Sequence, residues 1–176
     1  MCLYVGIMTD TGSFRFPSVT AHTHAVLAHF LSCGLDHASI HQKTFDEQSL
    51  NRVQLQGFAM SERLHVYAEQ GLAIVALERG DLDRFHYESG DTEGLVNKVL
   101  GLAGVRIAIM ARVAEPGLIK LSLRSVGDFS VRDLAAAEFD GGGHANAAGG
   151  IVKGKTVAEF LMFVNNRLSD WFDTGR

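Results

Sequence analysis

The stretch Val105-Arg106-Ile107-Ala108-Ile109-Met110-Ala111-Arg112-Val113-Ala114-Glu115-Pro116-Gly117-Leu118-Ile119-Lys120-Leu121-Ser122-Leu123-Arg124-Ser125 decides the fold. Two aliphatic runs flank Glu115-Pro116-Gly117, the punctuation of a hairpin. The loop length follows from sorting side chains, because a slip of one residue reverses every face. A four-residue loop would pair Val113 with Leu118 and put Arg124 on the face of Ile107 and Ile109. A three-residue loop pairs Ala114 with Leu118 and gives Gly117 the left-handed position of a bulge. In that register Ile107, Ile109, Ala111, Ile119, Leu121 and Leu123 share one face, while Arg106, Arg112, Lys120, Ser122 and Arg124 share the other. We adopt this register, which makes one face apolar and the other basic. For Arg106 and Arg112 an ordinary solvated sheet face is explanation enough.

Downstream, Ser130-Val131-Arg132-Asp133 has the pattern of an N-cap for a helix to about Phe139. That helix stops at Gly141-Gly142-Gly143-His144-Ala145-Asn146-Ala147-Ala148-Gly149-Gly150. Consecutive glycines let a backbone approach another group closely, and histidine is the side chain suited to proton donation near neutral pH. A loop whose N–H groups converge on an anion beside one such side chain needs this composition. A plain linker is the competing reading, but Ser is absent and the alanines favour packing over flexibility. Ile151 and Val152 form a short strand, and Thr156-Val157-Ala158-Glu159 is a capping box for a last helix. Val157, Phe160, Leu161, Val164, Leu168 and Trp171 give that helix an apolar stripe.

Upstream, Leu3-Tyr4-Val5-Gly6-Ile7-Met8 is apolar throughout, which predicts a central strand with Asp10 at its carboxyl end. The bland role for Asp10 is a hydrogen bond within the turn. Ser18 is positioned to cap a helix running to about Cys33, with Gly34 as its stop, and a second helix spans residues 36–45. The latter carries His37 and His41 at i, i+4, but no third ligand at a familiar offset makes zinc the better reading. Residues 48–60 read as a mostly polar helix linking two lobes. Leu64–Tyr67 and Leu72–Leu77 are strands turning at residues 69–71, Asp81 caps a short helix through Phe85, and residues 91–94 open another helix. The expected fold is α/β, a mixed sheet with flanking helices preceded by a strand and helices. Its divisions are residues 1–47, a linker helix 48–60, and a second domain 61–176.

The 176 residues, 47% hydrophobic and 20% charged, are those of an ordinary globular protein. A net charge of −4 excludes a broad, salt-driven nucleic-acid coat but not a local basic pocket. Cys2 and Cys33 lack CxxC spacing and imply reduced thiols in the cytoplasm. The apolar start is too short for a membrane span. Apolar residues before Asp10-Thr11-Gly12-Ser13 also match an aspartic protease signature, which with one copy requires a strand-rich dimer.

Three segments carry a resemblance. Gly141-Gly142-Gly143-His144 with Ala147-Ala148-Gly149, preceded by Ser122-Leu123-Arg124-Ser125, resembles the DHH-associated domain of DHH phosphoesterases. The similarity is greatest to the bacterial oligoribonuclease (nanoRNase) branch that also dephosphorylates 3′-phosphoadenosine 5′-phosphate. Gly6-Ile7-Met8-Thr9-Asp10-Thr11-Gly12-Ser13-Phe14 resembles the last metal-binding motif of that family's catalytic lobe, and Gly90-Asp91-Thr92-Glu93-Gly94-Leu95-Val96-Asn97 resembles a further segment. The resemblance implies a manganese pair that activates a water against a phosphodiester. It makes Asp10 a metal ligand, and Arg124 and His144 phosphate-binding residues supported by Ser125 and the N–H groups of Gly142 and Gly143. The family's upstream His-x-Asp-type motif and Asp-His-His segment have no counterpart; Asp36-His37-Ala38 lacks the second histidine. The chain therefore reads as the carboxyl-terminal half of such an enzyme, holding short single-stranded RNA or a nucleoside bisphosphate without cutting it alone. A non-catalytic phosphate-binding module is the alternative; related domains beside alanyl-tRNA synthetases are of that class but would not bring the motif at residues 9–14. The uncovered flank of the strand at residues 3–8 predicts pairing with another copy, a homodimer.

Overall fold

The structure, a computed structural model, describes residues 2–172. The chain divides between Gln48 and Ser49 into two compact units.

The first unit is helical: α1 (Cys2–Asp10), α2 (Ala21–Ser32) and α3 (His37–His41), the last running into a π-helical turn over Gln42–Asp46. The expected strand at residues 3–8 is thus the body of α1. A six-residue apolar run suits either period, so its pattern alone does not choose. Burial chooses here: Tyr4 and Met8, one turn apart, are enclosed, whereas Leu3 is 73% exposed. The Tyr4 ring lies 5.9 Å from Phe14 and 6.3 Å from Phe30, and its hydroxyl meets His41 Nε2 at 3.0 Å. Asp10 accordingly ends a helix rather than a strand. With the strand goes its uncovered flank, and with that the argument for pairing between copies. The strand-rich start required of an aspartic protease is likewise absent among the described residues. Thr20, not Ser18, caps α2, in a reciprocal box with Thr23.

The second unit runs α4 (Leu50–Glu62), β1 (Leu64–Tyr67), β2 (Leu72–Leu77), α5 (Arg79–Arg84), α6 (Leu95–Leu100), β3 (Ile107–Glu115), β4 (Leu118–Ser125), α7 (Val131–Glu138), β5 (Gly142–His144), β6 (Ala147–Lys153) and α8 (Val157–Phe172). Six strands form one mixed sheet in the order β1-β2-β3-β4-β6-β5, with β2 and β3 parallel and the other neighbours antiparallel. A parallel pair needs a long crossover, supplied here by the segment containing α5 and α6. Two local expectations shift. Asp81 lies inside α5, its carboxylate accepting the Glu78 amide at 2.9 Å, and α6 starts only after Gly94. The short strand at Ile151 and Val152 is the end of β6, which begins four residues earlier and pairs with the glycine run.

The hairpin β3–β4 keeps the expected sorting of faces, with Val113 paired to Ile119, but Ala114 does not pair with Leu118 as expected. Ala114 is the extra bulged residue, so Glu115 pairs with Leu118 across a turn of Pro116 and Gly117, the latter at φ +74°. Ile107, Ile109, Ala111, Ile119, Leu121 and Leu123 then share one buried face with α7 and α8. On the opposite face α4, α5 and α6 cover β2 and β3 through Leu55, Leu82, Val96 and Val99 packed on Val75, Ala108 and Met110. α6 also reaches β4, leaving Ser122 and Arg124 half-buried, while Lys120 of β4, Gly142 and His144 of β5 and Gly149 of β6 are exposed.

Candidate phosphate-binding site

The β4–β6–β5 part of the sheet brings together Arg124, Gly142 and His144 of the residues that the sequence marked. Arg124 of β4 pairs with Ala147 of β6, and Ala147 pairs with His144 of β5. Directly opposed residues on antiparallel strands point to the same side. Arg124, Ala147 and His144 therefore form one row, its charged ends two strand spacings or about 10 Å apart at the backbone. The adjacent row is Ser122, Gly149 and Gly142. Between the polar side chains lies only a methyl group and two glycines, which leaves a low floor.

Glycines of the same run do two different jobs. A Cβ built on Gly143 (φ +149°) would stand 2.5 Å from the Ala147 carbonyl oxygen, one on Gly141 would strike the Gly149 carbonyl, and one on Gly150 would reach Phe139 Cβ at 2.8 Å. These three let the chain pack. A Cβ on Gly142 meets nothing within 4 Å, and on Gly149 only Leu121 O at 3.5 Å. These two keep the floor open.

The turn between β5 and β6 is held from three sides. Asn146 Nδ2 donates to Ser125 Oγ at 2.9 Å and to Gly127 O at 3.0 Å, the Ser125 amide donates to Asn146 O, and the Val131 amide donates to Ala145 O at 2.8 Å. His144 is thus presented from a pinned turn, although its own ring is exposed. Arg124 is half-buried and donates one N–H to Leu123 O at 2.9 Å. Burial pulls its pKa down, and among the described residues no carboxylate offsets it by an ion pair. Four of its five donors are left for a planar oxyanion.

Two expected supports sit differently. Ser125 follows Arg124 in the strand and so faces the other side; its buried hydroxyl donates to Phe129 O at 2.7 Å and accepts from Asn146. It fixes the turn. Gly142 and Gly143 lie in an extended strand, where successive amides point to opposite edges. They do not form a concave cradle that closes on one anion. Asn146, Ala147 and Gly149 lie in the quoted stretch but were not among the expected site residues; the unbroken small run Ala147-Ala148-Gly149-Gly150 was the available signal for the floor. Asp10 belongs to the other unit, exposed at the carboxyl end of α1. Among the described residues no three His, Cys, Asp or Glu side chains converge as a metal-binding group. One carboxylate does not suffice for a metal pair, so the residues described do not by themselves fit the manganese centre.

The architecture is that of an α/β domain with a mixed sheet, carrying an arginine without an ion-pair partner and an exposed histidine on one face. Residues 70–170 match the DHHA1 domain, and the chain belongs to that family. It is 28% identical over 160 residues to the bifunctional oligoribonuclease and PAP phosphatase NrnA of Bacillus subtilis (strain 168), covering 91% of this chain and 49% of that protein. It is 33% identical over 150 residues to the protein of the same name from Thermus thermophilus, covering 85% and 43%. An exopolyphosphatase-related protein from Bacteroides fragilis has the same fold, with a TM-score of 0.91 at 35% identity over 98% of this chain and 50% of that one. The chain thus spans about half the length of these relatives. No helix among the described residues is long and apolar enough to cross a membrane.

Proposed function

We propose that this chain is the substrate-binding portion of a phosphoesterase acting on short oligoribonucleotides and on 3′-phosphoadenosine 5′-phosphate, in the reducing cytoplasm that suits its two exposed thiols. The relatives' names supply the substrate class. The observation that carries the reading is the row Arg124–Ala147–His144, in which a half-buried, unpaired guanidinium and an imidazole flank a floor with no bulk. Arg124 binds the phosphate oxygens, His144 donates a second hydrogen bond, and Ser125 with Asn146 holds the turn. In the parent enzyme Asp10 would supply one carboxylate to a manganese pair that the residues described here do not complete. A carboxylate at the negative end of a helix costs about 0.3–1 kcal/mol unless a cation lies beside it, which accords with that role. The chain alone binds substrate without hydrolysing it.

Calorimetric titration with an RNA dinucleotide and with adenosine 3′,5′-bisphosphate tests the reading. Arg124→Ala weakens both about 10- to 100-fold, the worth of hydrogen bonds to a charged group, and His144→Ala weakens them less. Unchanged affinity in both variants removes the site. Manganese-dependent turnover of the dinucleotide by the 176-residue chain contradicts the claim that it only binds.

A further inference from the structure

The open face does not end at Arg124. Along β4 the side chains on that face are Arg124, Ser122 and Lys120, and Lys120 pairs with Arg112 across β3. Like charges placed directly opposite on neighbouring strands destabilise a sheet. Neither Arg112 nor Lys120 makes an ion pair with a carboxylate among the described residues. Arg112 is held with its guanidinium 4.9 Å from the centre of the Tyr87 ring, and its buried Nε lacks a hydrogen-bond partner. Lys120 is exposed beside it. Two cations are thus set side by side without compensation, in line with the half-buried Arg124.

We infer that Lys120 and Arg112 form a second phosphate subsite, so that this face reads the length of an oligonucleotide as well as its terminal phosphate. The inference rests on the Arg124–His144 reading and extends it. Lys120 stands four residues from Arg124, about 13 Å along the strand. Phosphates of a stacked single strand rise about 3.4 Å each, so the two cationic positions are about four stacked steps apart, or about two steps when the strand is stretched to twice that rise, a span the three phosphates of a tetranucleotide then cover. Ser122, half-buried between them, makes no side-chain hydrogen bond within the described residues and faces the glycine floor at Gly149 and Gly142. It offers a hydroxyl to the sugar or phosphate in transit.

Titrating the 176-residue chain with an RNA dinucleotide and an RNA tetranucleotide, each over a series of salt concentrations, tests the inference. Lys120 is exposed, so Lys120→Ala and Lys120→Glu leave folding intact. The expected result is that Lys120→Ala weakens the tetranucleotide about fivefold, equivalent to the ~1 kcal/mol of a solvated charge pair at contact. It leaves the dinucleotide unchanged, and the salt slope for the tetranucleotide falls by about 0.7, one single-strand phosphate contact. Lys120→Glu enlarges the same effect. Unchanged tetranucleotide affinity and slope in both variants, with Arg124→Ala weakening both ligands, overturns the second subsite alone. Equal loss for both ligands on Lys120→Ala makes it part of the first site and also overturns the inference. If Arg124→Ala affects neither ligand, or the wild-type chain binds neither, the underlying reading fails and the subsite with it.

Discussion

The two faces of the one sheet are put to opposite uses. On one face β3 and β4 present six aliphatic side chains to α7 and α8, and Phe139 and Phe160 meet there edge to face at 6.1 Å with both rings buried. On the other face α4, α5 and α6 cover β2 and β3 through a second apolar cluster, α6 reaches β4, and polar contacts are added to the packing. Gln56 makes two of them: its amide donates to Asp91 O at 2.7 Å while its carbonyl accepts from Lys98 at 2.7 Å. Alternation at period two is what allows this division. Along β4 Ile119, Leu121 and Leu123 face the core while Lys120, Ser122 and Arg124 face the other side, so stability and the proposed binding are expected to be separable by mutation.

Phe160→Ala is the severest break. Its side chain is fully enclosed, and deleting a buried aromatic costs about 3–5 kcal/mol. Urea denaturation should show a loss of that size, while the fraction still folded binds the dinucleotide with wild-type affinity. A variant that stays folded but loses binding would show that the faces are coupled.

The next contrast lies within the glycine run. Gly143→Ala forces a Cβ against backbone atoms at a positive φ, a strain of about 1–3 kcal/mol. Gly142→Ala enters open space, so its midpoint of denaturation stays near wild type while its methyl group raises the floor and weakens phosphate binding. Equal destabilisation by the two substitutions would refute the assignment of one glycine to packing and the other to the ligand floor.

How much of this was legible depended on the period of each segment. In β4 the alternation of Ile119, Leu121 and Leu123 with Lys120, Ser122 and Arg124 sorts both faces from sequence alone, and the register of Val113 with Ile119 follows from it. Ser130 and Thr156 marked their helices because a cap acts within three residues. The run at residues 3–8 was illegible because it satisfies two periods at once, and its tertiary neighbours Phe14, Phe30 and His41 made it a helix. The glycine run misled in another way. Its composition announced permissive backbone, which serves a loop or a closely packed hairpin equally. Only pairing with β6 shows the latter, and pairing between separated segments leaves no local trace. Arg124 and His144 were therefore identifiable as residues, but the row that unites them was not.

The smallest expected effect tests one polar contact that supplements the apolar packing of the helical cover. Asp81, at the start of α5, takes both prongs of the Arg63 guanidinium at 2.8 Å. Burial by itself would raise the Asp81 carboxyl, but the hydrogen bonds from Arg63 and the Glu78 amide outweigh it and hold the carboxyl below its usual range. A group depressed in the folded state contributes stability above its unfolded value, near 3.9 for aspartate, and loses that contribution as pH falls through the folded value. Arg63 is 37% exposed, so water screens the pair and its worth falls to about 1 kcal/mol. Asp81→Asn keeps the shape and an acceptor for the Glu78 amide while removing the charge. The stability difference from wild type should be about 1 kcal/mol at pH 7 and should shrink below about pH 4. A difference that persists unchanged to pH 3 would mean that shape, not charge, pins α5.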